Sequence, residues 1–532
     1  MRFVTALFAL SFSVRAFADE PVRQAQGRQP SILFFFVDDL GRYAGVYADA
    51  DKRSLNDIVK TPNFDRIGRE GVVFNNAFVP VASCGPCRAS LATGRYFWNC
   101  GSGAFLNGKA SNWKGHENPM TTLPKFVDRL RESGYFTQRA LKTFAFTQDR
   151  PTKPMREVKV GKYQRYGLHV GTARNEAERK ARHEETLAHP RMSMRRVLAH
   201  GTDKPFFFVY GSINVHRPYT PDSGKKLWGI EPDDLKGLIP KFLPDEHDVR
   251  RDFSDYLGEV QAADAMLGEM LDELEEAGQL DNTLVIVSGD HGIPGVPRGK
   301  TTCYDLGTRV PLLARWPKGI KSGRRVEDYV SVMDIGPTLM ELVGAKAPKT
   351  DGRSFLKQLK SRRNGWIDPQ RREVVIGREL HVHDSRPGNL PYPMRAIRTP
   401  DHLYIRNFKP DRWPMGNPYD AAKLTSPGEL YEMGLNTKPA YTDLDGSLTK
   451  AFMMSQRDEE VDGKKFELTM HKRPAEELYR VDRDPAQLRN LVTDPDHSKA
   501  LKGFRRRIEF IMKRTNDPRL KDAFDGPPWV AD

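Results

Sequence analysis

Three unbroken apolar runs, each stopping abruptly at a polar cluster, limit what this chain can fold into. Ser31-Ile-Leu-Phe-Phe-Phe-Val37 ends in Asp38-Asp39, and Pro205-Phe-Phe-Phe-Val-Tyr210 leads into Gly211-Ser-Ile-Asn-Val-His216. Thr283-Leu-Val-Ile-Val287 leads into Ser288-Gly-Asp-His-Gly292. A strand with one wet face alternates apolar and polar side chains. A run without alternation predicts a strand buried on both faces, as in a parallel sheet covered by helices. Open α/β sheets bind ligands at the carboxyl ends of their strands, so the three polar clusters are expected to converge.

Helical stripes lie between these runs, as a doubly wound fold requires. Leu123, Phe126, Val127 and Leu130 share one face behind Thr121-Thr122, with Gly134 as a stop. Between Phe253 and Ala277, the residues Tyr256, Val260, Ala263, Leu267, Leu271 and Leu274 form a second stripe, closed by Gly278. A third helix is expected after Asp334, with Pro337 near its start and Gly344 past its end. Past about residue 350, Pro, Gly, Arg and Asp become frequent and long apolar runs disappear. That change predicts a smaller second unit over 351–532 with long surface loops, in which Phe504 to Met512 reads as a terminal helix. A chain of 532 residues buries enough surface for one large core and a lesser one.

The first residues place one positive charge before a short apolar run to Val14, then Ala16-Phe17-Ala18 and Asp19-Glu20. This is a signal-peptide pattern over 1–18, too short to span a bilayer, and it predicts a periplasmic or secreted protein. The net charge is +14, with Arg2 and Arg15 inside that leader. A basic exported protein favours polyanionic partners. No nucleic-acid-binding motif is present, no later segment has the length of a membrane span, and a sulfated polysaccharide suits the charge.

The densest motif is Cys84-Gly-Pro-Cys-Arg-Ala-Ser-Leu-Ala-Thr-Gly-Arg95. A Cys-x-x-Cys pair alone suits a disulfide, a redox couple or half a zinc site. A zinc site needs a second pair of ligands nearby, and the other cysteines, Cys100 and Cys303, stand alone. Two aspartates end one strand, and Asp290 with His291 follow another. Oxygen-rich ligands without a thiolate cluster suit a hard divalent cation.

In its spacing from Cys84 through Pro86 and Arg88 to Thr93-Gly94-Arg95, the motif resembles the signature of formylglycine-dependent sulfatases, members of the alkaline phosphatase superfamily. Glu477-Leu-Tyr-Arg-Val-Asp-Arg-Asp-Pro485 with Asn490-Leu491 resembles that family's C-terminal signature. The resemblance implies an α/β fold: a mixed, mostly parallel central sheet with helices on both faces, over a catalytic domain of residues 28–350. A smaller C-terminal α+β subdomain, 351–532, would complete the substrate pocket. It implies that a formylglycine-generating enzyme oxidises Cys84 to 3-oxoalanine, whose hydrate attacks sulfur. It further implies one calcium ion held by Asp38, Asp39, Cys84, Asp290 and His291. Lys142 and Lys300 would hold sulfate oxygens, Arg88 would orient the modified side chain, and His216 would serve the leaving group.

The chain departs from the family pattern in two places near Lys142. Leu141 stands where the family has glycine, and no histidine follows within three residues, the sequence being Thr143-Phe-Ala-Phe146. That histidine helps release sulfate from the hydrate, so His381 and His383 become candidate substitutes. Several segments, among them Leu280-Asp-Asn-Thr-Leu-Val-Ile286 and Tyr392-Pro-Met-Arg-Ala-Ile-Arg398, resemble heparan N-sulfatases and their bacterial relatives. N-sulfoglucosamine-type glycans are therefore the expected substrates, with Arg395, His381, Glu379 and Arg398 as candidate sugar-binding residues. An O-sulfatase similar to iduronate-2-sulfatase or an arylsulfatase is the nearest alternative. A phosphoesterase of the same superfamily and a glycan binder without turnover are more distant ones.

Overall fold

The computed structural model describes residues 29–106, 117–145, 147–149, 165–200, 204–419 and 426–529. Seven strands form the central sheet: β1 Ser31–Val37, β2 Val72–Phe78, β3 Phe136–Leu141, β4 Phe206–Gly211, β5 Thr283–Gly289, β6 Leu312–Arg315 and β7 Arg324–Ser331. They lie in the order β3-β4-β1-β5-β6-β2-β7. Only β6 runs against its neighbours; the other pairings are parallel, which is the mixed sheet expected.

β1 explains why its sequence carries no alternation. Ile32, Phe34 and Phe36 pack into one core with Leu91, Phe126 and Leu339, while Leu33, Phe35 and Val37 pack into another with Phe253, Val260 and Leu267. These six β1 side chains are fully buried. Each contributes roughly 1.5–3 kcal/mol by leaving water, so neither face tolerates a polar residue without a partner. The helices Cys84–Thr93, Phe126–Glu132 and Ile335–Leu342 supply the first core, and the long helix His247–Glu276 supplies the second.

The stripe from Leu123 to Leu130 is not one helix. A short turn of helix over Pro119–Thr122 ends at Leu123, whose ψ is 128°, and a new helix begins at Phe126. Pro124 is the cause, because its ring disfavours the helical conformation in the residue before it.

The C-terminal part builds a four-stranded antiparallel sheet from β8 Val374–Arg378, β9 Met394–Arg398, β10 His402–Asn407 and β11 Glu476–Arg480, in the order β11-β10-β9-β8. The terminal helix, Ser498–Arg514, sends Ile508, Ile511 and Met512 into the same core as β1. No helix among the described residues is long and apolar enough to cross a membrane. The expected signal segment lies outside the described residues.

Candidate active site

Parallel strands deliver their polar termini to one edge of the sheet. The β1–β4 ladder continues one residue beyond β1, where the Asp38 amide donates to Ser212 O at 2.9 Å. The next amide, of Asp39, donates to Oδ1 of Asp290 at 2.9 Å, and Asp290 N donates to Val37 O at 3.2 Å. Asp39 has φ +62°, the left-handed region that aspartate tolerates better than most residues. The turn aims the carboxylates of Asp38, Asp39 and Asp290 at one place, all fully buried.

Cys84 enters this cluster as the first residue of its helix. Its Sγ lies 3.1 Å from Nε2 of His291 and 3.9 Å from Oδ1 of Asp39. Gly85 lets the backbone at 105–106 close over the start of the Cys84 helix: a Cβ there would stand 2.2 Å from Leu106 O. The four cysteines are free and buried, so the Cys84-x-x-Cys87 pair forms no disulfide, and Cys87 packs in the core.

One helical turn on, Arg88 ties three strand ends together. Its Nε donates to Asp290 Oδ2 at 2.9 Å, one terminal nitrogen to Asp38 Oδ1 at 3.0 Å, and the other to Lys142 O at 2.7 Å. Burial works against ionisation of Asp38, yet Lys142 and Arg88 hold its carboxyl well below the ordinary range. Asp290 is pushed up by burial and by Asp38, against the pull of His291 and Arg88.

Lys142 follows β3, and its Nζ is 2.7 Å from Asp38 Oδ2. Leu141 just before it adopts φ +61°. This is the left-handed conformation that glycine adopts freely and that costs a branched or bulky residue about 1–2 kcal/mol. Gly211 on β4 makes room beside it, since a Cβ there would lie 1.7 Å from Lys142 O. Lys300 sits between Asp39 Oδ2 at 3.2 Å and Asp445 Oδ2 at 3.3 Å. His216 places Nε2 3.9 Å from Asp39 Oδ2 and Nδ1 2.6 Å from Arg217 O. A carbonyl acceptor makes Nδ1 the protonated nitrogen, so Nε2 is the one turned to the cluster.

Cys84, Arg88, Lys142, His216 and Lys300 line one cavity of about 620 Å³, together with His381 and Asp445. Phe105, Leu106, Met120 and Phe144 give it an apolar wall. The ligand atoms of Asp39, Cys84 and His291 lie within 4.8 Å of one another, as do those of Asp38, Cys84 and Asp290. His291 donates from Nδ1 to Gly292 O at 3.1 Å, leaving the Nε2 lone pair facing the carboxylates. Three carboxylates with one such imidazole fit a hard divalent cation, with the nitrogen as its softest donor.

Of the four sugar-binding candidates, only His381 reaches the cavity. Arg395 is fully buried and pairs with Asp517 at 2.6 and 2.9 Å and with Glu379 at 2.8 Å, its guanidinium 4.6 Å over the Trp98 ring. Glu379 is also bound by Arg519. Arg398 pairs with Asp305 at 2.8 and 2.9 Å and donates to the Tyr329 hydroxyl at 3.2 Å. These residues join the small sheet to the rest of the protein and have no surface to offer a sugar. His383 is not among the cavity residues. Asp445, missed in the sequence, lies on a loop of Tyr441-Thr-Asp-Leu-Asp445 that carries no recognisable spacing. Only the fold brings it to Lys300.

Residues 30–345 match the sulfatase family. Human N-sulphoglucosamine sulphohydrolase is 27% identical over 523 residues, covering 93% of this chain and 92% of that protein. An ulvan-active sulfatase of Formosa agariphila is 25% identical over 506 residues, 92% of this chain and 76% of the relative. A solved structure of a protein in complex with its substrate D-glucosamine-2-N,6-O-disulfate superposes with a TM-score of 0.56 at 16% identity, covering 94% of this chain and 99% of the other. That likeness establishes a shared fold.

Proposed function

The chain belongs to the sulfatase family, and on that premise we propose that it hydrolyses sulfate groups of sulfated glycans, N-sulfoglucosamine residues of heparan type foremost. The observation that carries this reading is Cys84 at the floor of the cavity, 3.1 Å from His291 and flanked by Lys142 and Lys300. Burial, then Asp38, pushes the Cys84 thiol far up, so the unmodified side chain is a protonated thiol at neutral pH and a poor nucleophile. Conversion of Cys84 to 3-oxoalanine, with a bound divalent cation, would supply an attacking hydrate oxygen and positive charge on the sulfate.

The chain's own residues then have distinct tasks. Lys142 and Lys300 present ammonium groups to oxygens that gain charge as the bond to sulfur breaks, and such preorganised charge is usually the largest catalytic term. Burial disfavours both ammonium groups, but Asp38 holds Lys142 charged, and Asp39 and Asp445 hold Lys300 charged. His216, with Nδ1 fixed on Arg217 O, turns Nε2 to the cluster, and as an imidazolium it would donate from Nε2 to the leaving amine or hydroxyl. Arg88 keeps Asp38 and Asp290 in register beneath residue 84. The apolar wall suits the carbon face of a sugar ring, and the N-sulfoglucosamine preference draws on the human relative.

The test pairs mass spectrometry of the peptide containing residue 84, after export from a host that makes formylglycine, with sulfate release from disaccharides bearing N-, 2-O- or 6-O-sulfate. The expected result is a modified residue 84 and fastest release of N-sulfate. An inert N-sulfate beside a cleaved O-sulfate would replace the substrate, and an unmodified thiol with no release from any member would end the reading.

A further inference from the structure

The edge of the central sheet opposite the carboxylate cluster carries a second concave site, and its free charges are all positive. A surface depression of about 450 Å³ lies where β6 ends and β7 begins, lined by Lys318, Lys321, Lys360 and Arg362. All four are exposed, and none of their side chains makes a hydrogen bond or ion pair among the described residues. The carboxylate in the lining is Glu70, which Arg66 and Arg315 already hold at 3.1 and 2.6 Å. Exposed arginines elsewhere do find partners: Arg505 and Arg507 on the terminal helix pair with Glu476 and Glu373.

The cations ride on two segments that the fold fixes to each other. Residues 316–320 close a turn in which Gly319 N and Ile320 N both donate to Trp316 O, at 2.9 and 2.7 Å, and Ile320 is buried in the first core. A Cβ on Gly319 would stand 2.1 Å from the Trp316 ring, so the turn needs glycine there. The buried Arg324 joins this segment to the helix Leu356–Lys360: Nε donates to Lys321 O at 3.1 Å, one terminal nitrogen to Gln358 O at 3.0 Å, and the other to Leu359 O. Its partners are all carbonyls. Among the described residues no carboxylate compensates it, and it adds a further positive charge behind the two segments. Clustered charge of one sign in a concave wall focuses the field on the space it encloses, which raises the local concentration of the opposite ion.

Parallel strands set this depression and the catalytic cavity at opposite edges of the sheet. β7 runs eight residues from Arg324 toward the cluster edge, so about 25 Å of sheet separates the two at roughly 3.3 Å per residue. A disaccharide is too short to touch both. We propose that the depression is a second anion site, which binds a sulfate group of a polymeric glycan while another part of that chain occupies the catalytic cavity. This rests on sulfated glycans being the substrate. A chain held at the depression meets the cavity as a tethered ligand, so its second contact is intramolecular and KM falls without any new contact in the cavity.

The experiment measures sulfate release from the disaccharide cleaved fastest and from the polymer of the same repeat. Wild type is compared with a variant combining Lys318→Gln, Lys321→Gln, Lys360→Gln and Arg362→Gln. A control combines Lys499→Gln, Lys502→Gln, Arg506→Gln and Lys513→Gln on the terminal helix, an equal change of charge at exposed positions. Thermal melting verifies that both are folded. The first variant is expected to raise KM for the polymer roughly tenfold at low salt, with kcat and the KM for the disaccharide unchanged, and the control to match wild type on both substrates. In about 1 M salt, where charges are screened beyond about 3 Å, the difference should vanish. A polymer KM equal to wild type in the first variant, or an equal rise in the control, would overturn the proposal. A wild type that releases sulfate from neither substrate would instead remove the reading on which it rests.

Discussion

The ammonium of Lys142 lies 2.7 Å from Oδ2 of Asp38, which joins the ends of two strands separated in the sheet by β4. The ion pair holds Lys142 charged against the opposing effect of burial. Replacing Lys142 by Met removes that charge from the cavity and relieves Asp38 of one cation. The expected loss in kcat is roughly 10²–10³-fold, comparable to removal of one preorganised donor elsewhere. Steady-state kinetics on the fastest disaccharide check it, and an unchanged kcat would exclude Lys142 from contact with the transferring group.

The carboxylate cluster predicts a cation requirement. Adding Ca²⁺ to chelator-treated protein should raise Tm, with a stabilisation of about 2.7 kcal/mol at one hundred times the dissociation constant. Asp290→Asn removes one of the charges in the cluster, and its Tm should respond weakly or not at all. Equal melting of wild type with and without chelator would remove the metal assignment.

Leu141 and Lys142 make a further case. Leu141→Gly exchanges a left-handed leucine for the residue that adopts φ +61° without cost, at the loss of partial packing against the second core. The two effects nearly cancel, so stability should change by no more than about 1 kcal/mol. Leu141→Val places a β-branched side chain in the same conformation and should cost about 1–3 kcal/mol, with a fall in kcat as Lys142 moves. Chemical denaturation and kinetics of the pair measure both.

Arg395 should behave as a structural residue. Its removal strands the buried carboxylates of Asp517 and Glu379, a loss of roughly 3–5 kcal/mol. Arg395→Met is therefore expected to lower Tm sharply while the folded fraction retains the wild-type KM. A raised KM at undiminished stability would return Arg395 to the sugar site.

Acid should weaken the fold partly through His381, whose pKa is drawn down to about 3 by burial and by Lys300. In the unfolded chain its pKa is near 6.5. A depressed pKa means stability present above about pH 6.5 and lost as pH falls toward 3, at up to about 1.4 kcal/mol per unit for one proton. His381→Gln lacks this dependence, so its stability relative to wild type should improve between pH 7 and pH 4. Parallel denaturation curves at several pH values read the difference, and a constant gap would contradict the buried neutral ring.

The amino-acid sequence alone determined three central strands, the sheet edge they share and the identity of most cluster residues. The apolar runs at 31–37, 205–210 and 283–287 have no polar member to expose, so burial on both faces follows from composition, and parallel strands bring their ends together. Asp38, Asp39 and Asp290 were legible because each sits within a few residues of such an end, and Cys84 and Arg88 because of the spacing of their motif. Pro124 splits the single helix expected from Leu123 to Leu130, although its effect on Leu123 is local chemistry. Only the tertiary structure decided the rest. Arg395, Glu379 and Arg398 belong to a sequence segment that also holds His381, and nothing in their spacing tells a sugar contact from a buried ion pair. The partners that decide it, Asp517, Arg519 and Asp305, lie far away along the chain. Asp445 became visible for the same reason: a side chain acquires its chemistry from neighbours, and those neighbours are assembled by long-range packing that no local pattern records.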